Sequence, residues 1–303
     1  MAHGPTIDDV TERSRLFRGR DVTASLLSGG HVNRAYVVQV NETRYVVRIP
    51  GVSSELLVPD RADERHDTVA AAASGVSPRV VEYLDDWQVM ILEYVEGETL
   101  TDETIALGDR IPRVAATLRT LHAGPRFRSD FDMFRTAERY LAVVDERDIA
   151  IPAGYREHLA ALPRIEAALN VNPLASVPCH NDLLADNYLD DGERLWLVDW
   201  EYSGNNDPTF ELGNTAQELG YDDAQISELC AAYFGGASPA LLARMRLQMI
   251  MSDVGWTLWA AIQAAISSID YDFWGWAEER WARASSAFAR DDFDDLLAEA
   301  VGG

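Results

Sequence analysis

Residues 179–204 read "CHNDLLADNYLDDGERLWLVDWEYSG" and gather polar side chains around two short apolar runs. Within them His180, Asp182 and Asn187 follow the spacing H-x-D-x-x-x-x-N, and Asp199 comes twelve residues after Asn187, at the end of an apolar run. An acidic surface loop with one hydrogen-bonded histidine would account for a lone H-x-D, but not for the whole spacing. The stretch therefore predicts a site built from two carboxylates and an amide.

Kinases transfer a phosphoryl group with this set of side chains. In that chemistry Asp182 accepts the proton of the hydroxyl that is phosphorylated. The amide oxygen of Asn187 and the carboxylate of Asp199 hold Mg²⁺ against the nucleotide phosphates, and two protein ligands suffice because Mg²⁺ keeps several waters. The tight turn at residues 190–195 should bring Asn187 and Asp199 together on neighbouring strands. His180 should be a structural hydrogen bonder at a buried strand end.

A kinase also needs a phosphate loop and a cation that holds the phosphates. The segment "LLSGGHVNRAY" contains Ser28, Gly29 and Gly30, whose backbone N–H groups could approach a phosphate, although an ordinary hairpin turn has the same composition. Arg48 in "YVVRIPG" takes the place of the usual lysine, and Glu64 on the following helix can pair with it. The alternative for Arg48 is a charge at a sheet edge that faces water.

The composition is that of a globular protein with an acidic surface. Of 303 residues, 47% are hydrophobic and 25% charged, and 50 acids against 26 bases give a net charge of −24. Every one of those bases is arginine, which a bias of genomic composition explains best. No basic stripe is present, so nucleic acid is not an expected partner. Cys179 and Cys230 form neither a disulfide framework nor a metal-binding spacing, which fits a reduced cytosol.

Targeting signals are not visible in the sequence. Residues 1–20 contain no apolar core flanked by basic residues, so no signal peptide is expected. The longest uncharged apolar stretch, residues 254–269, is too short for a membrane span and predicts a buried helix. The sequence thus predicts a cytoplasmic protein without a membrane span, and it carries no signal for the oligomeric state.

The order of elements predicts an α+β protein with two lobes. Residues 1–97 should form a small β-rich lobe with one helix, built from a hairpin around "NET", an alanine-rich helix that ends at Gly75, and a second strand pair. Residues 98–303 should form a large α-rich lobe that contains the polar stretch as a loop between short strands. A cleft between such lobes is the expected ligand site.

Together these motifs resemble the choline/ethanolamine kinase branch of the aminoglycoside phosphotransferase-like small-molecule kinases. The resemblance covers nearly the whole chain, in order, through "SGGHVNRAYVV", "VVRIPG", "RADE", "ILEYVEGETL", "HNDLLADN" and "LVDWEYSGNNDPTFELGN". It implies a bilobal, protein-kinase-like fold that uses ATP and Mg²⁺. Asp182 would be the base, and Glu201 would be a further metal ligand beside Asn187 and Asp199.

The same resemblance assigns the nucleotide side. Asn33 in the loop segment, and Glu93 and Val95 in the hinge segment "ILEYVEGETL", would contact the nucleotide. The chain has no G-x-G-x-x-G loop, and D-W-E stands where protein kinases have D-F-G, as in this branch. Asp186 is the departure from the branch, since a small or neutral residue is expected there.

An aromatic-rich segment near the C-terminus suggests the substrate. Core packing of a large helical lobe would explain such a segment, but aromatic faces beside a carboxylate also bind quaternary ammonium groups. By the resemblance, four aromatic residues would line a choline pocket, with negative charge from Glu218 and Asp182. These four are Trp256, Trp259, Tyr271 and Trp276. Trp274 and Trp281 are expected to pack in the core.

Four functions remain open at this point. The first is an ATP-dependent choline kinase, and the second is a kinase for ethanolamine or another amino alcohol. The third is an aminoglycoside or amino-sugar phosphotransferase, which the acidity allows and the aromatic segment disfavours. The fourth, a catalytically dead amine-binding module, is disfavoured because Asp182, Asn187 and Asp199 are all in place.

Overall fold

An antiparallel five-stranded sheet organises the first part of the chain. The structure is a computed structural model, and it describes residues 4–27, 33–51, 56–57 and 61–302. The sheet has the order β1-β2-β3-β5-β4. Its strands are β1 (Val22–Leu26), β2 (Arg34–Val40), β3 (Thr43–Ile49), β4 (Val80–Leu84) and β5 (Val89–Glu93). The predicted hairpin around "NET" is present as β2 and β3, with Asn41 in the left-handed region at its turn (φ 52°).

The two faces of this sheet have different roles because side chains alternate along a strand. Val47 and Ile49 of β3 are buried against Val10 and Phe17, which cover the outer face. Arg48, between them, therefore points to the opposite face, where helix α2 (Arg61–Ser74) packs.

The first part of the chain also contains one helix that the sequence did not predict. Helix α1 (Ile7–Arg13) begins with a capping box between Thr6 and Asp9 and buries only Val10. The alanine-rich helix α2 is present and ends before Gly75, whose φ of +89° suits a glycine. The predicted α+β fold class is confirmed, and the boundary between residues 97 and 98 stays a prediction.

Helices dominate the rest of the chain. They are α3 (Arg110–His122), α4 (Met133–Arg147), α5 (Leu162–Leu169), α6 (Pro208–Glu218), α7 (Asp223–Phe234), α8 (Pro239–Ile266), α9 (Phe273–Phe288) and α10 (Phe293–Val301). Before α5 the chain forms a 3₁₀ helix, Tyr155–Ala161, and the two elements do not merge into one α-helix. Pro163 explains the break, because proline has no N–H and is tolerated only in the first turn of an α-helix.

Short strands frame the polar stretch, as predicted. They are β6 (Glu98–Thr99), β7 (Val177–Cys179), β8 (Tyr188–Asp190), β9 (Leu195–Leu197) and β10 (Gly204–Asn206). β8 and β9 form an antiparallel hairpin in which Tyr188 pairs with Leu197, and β6 pairs with β8. The segment that follows the five-stranded sheet is thereby attached to the polar stretch.

Helix α8 is the one helix among the described residues that is long and apolar enough to cross a membrane. Within the most apolar 18-residue segment of α8, 78% is buried inside the protein, which is the environment of a core helix. The prediction of a buried helix in this region is confirmed.

Close packing between α6 and α8 gives a first testable prediction. A Cβ added at Gly213 of α6 would lie 2.7 Å from the backbone oxygen of Met245 in α8, which cannot move like a side-chain tip. We expect Gly213→Ala to lower the free energy of unfolding by about 1–3 kcal/mol. Gly236→Ala is the control, because a Cβ there would meet nothing within 4 Å. Chemical denaturation checks both, and equal stabilities of the two variants would contradict this packing.

Candidate active site

Side chains of α6 hold the loop that carries Asp182. The two carboxylate oxygens of Glu211 accept the backbone N–H groups of His180 (3.0 Å) and Asn181 (2.9 Å). One helical turn later, Asn214 accepts the N–H of Leu183 at 3.0 Å. Burial raises the pKa of Glu211 to about 7. The loop backbone before and after Asp182 is thus fixed from one helix.

His180 has the structural role predicted for it. The ring is fully buried, and Nε2 donates to the carbonyl oxygen of Val198 at 2.8 Å, which joins the loop to the end of β9. Burial lowers the pKa of His180 to about 4, so the ring is neutral near pH 7. A neutral, buried imidazole with a backbone partner serves as a brace and not as an acid or base.

Asp182 lies among other carboxylates. Its pKa is raised well above the ordinary value, first by burial and then by the charges of Glu218, Glu201 and other acids, including Asp199. Asp186 also contributes to this shift. Burial is the main cause of the raised pKa of Tyr271, and the charge of Asp186 adds to it. Asp186 therefore adds negative charge that acts on both Asp182 and Tyr271.

Asn187 and Asp199 are brought together as the turn predicted. The N–H of Val198 donates to the carbonyl oxygen of Asn187 at 3.1 Å, which places the two site residues beside each other, Asn187 just before β8 and Asp199 just after β9. The amide nitrogen of Asn187 donates to the carbonyl oxygen of Asp182 at 2.8 Å, so the amide oxygen of Asn187 is the atom that could bind a metal ion. The Asp199 side chain is 36% exposed. An amide oxygen and an accessible carboxylate are the donors that Mg²⁺ prefers.

Arg48 is a buried cation that connects three elements. Its guanidinium forms ion pairs with Glu64 on α2, with Asp199, and with Glu201 at 3.4 Å. Arg61 reinforces the group, since it contacts Glu64 at 3.0 Å and Glu201 at 3.5 Å. The predicted pairing of Arg48 with Glu64 is present, and the alternative of a water-facing edge charge is wrong.

The resemblance assigned Glu201 to the metal ion and Asn33 to the nucleotide. In the structure the two side chains contact each other. The Asn33 amide donates to Glu201 at 2.9 Å, and both side chains are buried. The Glu201 carboxylate is thus already shared by Asn33, Arg48 and Arg61. It is a less open metal ligand in this arrangement than Asn187 or Asp199.

The hinge residues Glu93 and Val95 lie beside a surface cavity. Glu93 pairs with Arg79, with a distance of 2.9 Å to Nε, and its N–H donates to the Arg79 carbonyl oxygen at 2.9 Å. Glu93, Val95 and Trp196 line a cavity of about 570 Å³. The contact of Glu93 and Val95 with a nucleotide stays a prediction. Ser28, Gly29 and Gly30 lie outside the described residues.

The predicted aromatic residues come together in one cluster. The ring centroids of Trp256 and Trp259 are 6.4 Å apart, Trp276 is 5.5 Å from Trp259, and Tyr271 is 6.0 Å from Trp276. Tyr202, which the sequence analysis did not single out, completes the cluster. Its ring is 4.9 Å from Trp256, and its hydroxyl accepts the indole N–H of Trp259 at 2.6 Å. Tyr202 lies three residues after Asp199, inside the "EYSG" motif, and this position could have identified it as a site residue.

Glu218 differs from its predicted environment, because its charge is already paired. Arg280 of α9 forms a buried ion pair with it. The same guanidinium lies over the ring of Trp276, 3.7 Å from the centroid. The sequence analysis expected Glu218 and Trp276 to face a substrate, and it did not identify Arg280.

The remaining tryptophans pack as expected. Trp281 is buried, lies 4.8 Å from the ring of Tyr155, and donates to the carbonyl oxygen of Ala153 at 2.8 Å. Trp274 packs against the same hydrophobic core. Neither belongs to the aromatic cluster around Trp259.

One buried group has the composition of a metal site, although the spacing of the cysteines along the sequence does not indicate one. Ligand atoms of His122, Cys179 and Glu211 lie within 4.8 Å of one another. Burial lowers the pKa of His122 to about 3 and raises that of Cys179, and Glu211 already accepts two backbone N–H groups. Both cysteines are free, as predicted. The group is therefore a packed, hydrogen-bonded support for the loop.

Comparison with known proteins fits this geometry. The family model described as the phosphotransferase enzyme family matches residues 23–248. A choline/ethanolamine kinase family protein from Mesorhizobium loti, known from a crystal structure, is 33% identical, with a TM-score of 0.85 over 97% of each chain. Ethanolamine kinase 1 of Mus musculus is 26% identical over 86% of this chain and 83% of its own.

A more distant structure shares the fold alone. The aminoglycoside phosphotransferase APH(4)-Ia is 19% identical, with a TM-score of 0.63, and the match covers 88% of this chain and 95% of that one. The predicted kinase-like fold is thereby confirmed. The chain belongs to the phosphotransferase enzyme family and, within it, to the choline/ethanolamine kinase family.

Proposed function

We propose that this protein is an ATP-dependent kinase that transfers the γ-phosphate to the hydroxyl of an amino alcohol, with choline as the first candidate. Ethanolamine or another amino alcohol is the alternative, since each carries a cation beside a primary hydroxyl. The observation that carries the proposal is a surplus of carboxylates around Asp182, next to an aromatic cluster.

The surplus of negative charge favours cationic ligands. Among the described residues, six carboxylates that contact the site or act on the charge of Asp182 outnumber the three guanidinium groups that pair with them. The acids are Asp182, Asp186, Asp199, Glu64, Glu201 and Glu218, and the bases are Arg48, Arg61 and Arg280. Buried charges need partners, so the surplus favours a divalent cation and a cationic substrate. A neutral or anionic alcohol would gain nothing from it.

The aromatic cluster suits the cationic group of such a substrate. The rings of Tyr202 and Trp256 meet at 78°, and those of Trp256 and Trp259 at 85°, so ring faces are presented from different directions. Ring faces attract a methylated or primary ammonium group through cation–π interactions. Because Tyr202 follows Asp199 by only three residues, the cluster adjoins the candidate metal ligands.

Positioning does most of the chemical work in the proposed reaction. Asp182 would accept the proton of the substrate hydroxyl, and Asn187 and Asp199 would hold Mg²⁺. The metal ion supplies charge neutralisation for the phosphates when it is bound. Arg48 would bind phosphate oxygens, with Glu64 fixing the direction of its guanidinium. Glu93 and Val95 would contact the nucleotide base.

An aminoglycoside or amino sugar is less well supported as substrate. Such compounds carry several ammonium groups and need several free carboxylates. Glu218, the second acidic group of the aromatic pocket, is already paired with Arg280.

The test of the proposal is a coupled ADP-release assay with ATP, Mg²⁺ and a panel of choline, ethanolamine and aminoglycosides. We expect turnover with at least one of the two amino alcohols, at the highest kcat/KM of the panel. Release of ADP with none of the alcohols would refute the kinase activity. Preferred phosphorylation of an aminoglycoside would refute the substrate class.

Asp182→Asn tests the base. The amide keeps the shape of the side chain but cannot accept a proton, so we expect kcat to fall by about 10²–10⁴-fold. Nucleotide affinity, measured by calorimetry, should stay within about twofold. A parallel loss of nucleotide binding would show that Asp182 acts structurally.

Asp199→Asn tests the metal site. Replacing a charged oxygen ligand by a neutral one should raise the Mg²⁺ concentration for half-maximal activity by about tenfold or more. Glu193→Gln removes an exposed charge from the same hairpin and is the control. A magnesium titration of activity that shifted equally in both variants would rule out direct ligation by Asp199.

Trp259→Leu tests the cation pocket. The loss of one aromatic face should raise KM for the amino alcohol by about tenfold, while KM for ATP changes little. Trp281→Leu removes an equally buried indole outside the cluster and serves as the matched control. Steady-state kinetics decide, and equal changes of both KM values in the two variants would indicate core packing alone.

A further inference from the structure

Arg280 is a buried cation inside the proposed substrate pocket. Arg280 lies on α9 and is 2% exposed, and its guanidinium carbon is 3.7 Å from the ring centroid of Trp276. Its Nη2 atom donates to the carboxylate of Glu218 at the end of α6. Glu218 is buried to the same degree, with 4% of its side chain exposed.

These two contacts are the ones that a substrate cation would make. An aromatic face and a carboxylate together recognise an ammonium group, and here an internal guanidinium takes both. The ring of Trp276 lies 5.5 Å from that of Trp259, so these two contacts adjoin the cluster of Tyr202, Trp256 and Trp259. The pocket therefore contains two adjoining places for positive charge, and the chain itself fills one of them.

We propose that Arg280 is a specificity-determining residue that limits the substrate to a single positive charge. This inference rests on the proposed function, since it names which cationic alcohols the same site accepts. A second ammonium group on the substrate would have to lie against Arg280, where like charges repel. Alcohols with one ammonium group use the cluster of Tyr202, Trp256 and Trp259, whereas diamines and aminoglycosides are disfavoured.

A second arginine on the same helix provides a matched control. Arg283 is three residues from Arg280 and pairs with the buried Asp253 of α8 at 2.6 Å. Asp253 also accepts the side-chain N–H of Gln217 at 2.8 Å. Both arginines thus attach α9 to its neighbours by an ion pair with a buried carboxylate, and the Arg283 side chain is the more exposed of the two, at 30%. The guanidinium contact with the Trp276 ring belongs to Arg280.

The experiment compares kcat/KM for two alcohols in Arg280→Met and Arg283→Met. One substrate is the amino alcohol that the wild type prefers, and the other is 2-(4-aminobutylamino)ethanol, whose two amino groups are four carbons apart and are both protonated near pH 7. In Arg280→Met the ratio of diamine to monoamine efficiency should rise by about tenfold or more, because the repelling charge is gone and Glu218 is released. In Arg283→Met the ratio should stay within about twofold.

Two more variants keep the test decisive. Arg280→Lys retains the charge and should keep the wild-type ratio. Arg280→Met leaves the carboxylate of Glu218 buried, with Oε1 already lacking a hydrogen-bond partner among the described residues, so this variant could unfold. The double variant Arg280→Met/Glu218→Gln removes both charges, and the ratio should rise there as well. An unchanged ratio in every folded variant without Arg280, or an equal rise in Arg283→Met, would overturn the proposal.

A binding measurement separates this inference from the proposed function. Quenching of tryptophan fluorescence reports the affinity for both amines without any turnover. A gain of diamine affinity in Arg280→Met, in a protein that phosphorylates no amino alcohol, would support the single-charge limit and refute the kinase proposal. Phosphorylation by the wild type, with no change in diamine preference in the variants, would refute the single-charge limit alone.

Discussion

Buried negative charge around Asp182 is the constraint on which the rest of the structure depends. Carboxylates removed from water need partners, and here the partners come from distant parts of the chain. Arg48 arrives from β3, Arg61 from α2 and Arg280 from α9. The ion pairs therefore join the β-sheet, the alanine-rich helix and the C-terminal helices around one point. They leave a surplus of negative charge, which a bound cation can offset.

Helix α6 links the loop that carries Asp182 to the proposed substrate pocket. Glu211 and Asn214 hold the backbone on both sides of Asp182, and Glu218 at the end of the same helix pairs with Arg280. Gly213, between them, allows α6 to approach α8, which carries Trp256 and Trp259. One helix thus sets the distance between the proposed proton acceptor and the aromatic cluster, and positioning of this kind is the main contribution that proteins make to phosphoryl transfer.

The sequence predicted the features that depend on local spacing. The hairpin of β8 and β9 follows from strand and turn signals that a short segment displays. The pairing of Arg48 with Glu64 follows from the positions at which a kinase needs a phosphate-binding cation and an acid that orients it. Helix α1 escaped prediction because it is seven residues long and buries a single side chain, which is too weak a pattern.

The partners of the other buried polar and charged groups could not be predicted in the same way. Glu218 and Arg280 are 62 residues apart, and Asn33 and Glu201 are 168 apart. Only the packing of separate elements decides which acid meets which base, and a charge count cannot reveal it. Glu218 was accordingly expected to be open to the substrate.

The most direct measurement of the central claim compares choline with its uncharged isostere, 3,3-dimethylbutan-1-ol, as phosphoryl acceptors. The two alcohols have nearly the same shape and differ in the charge of the head group. If surplus negative charge and aromatic faces select the substrate, kcat/KM for choline should exceed that for the isostere by at least about tenfold. Equal efficiencies would contradict recognition by charge and would leave shape alone as the basis of selection.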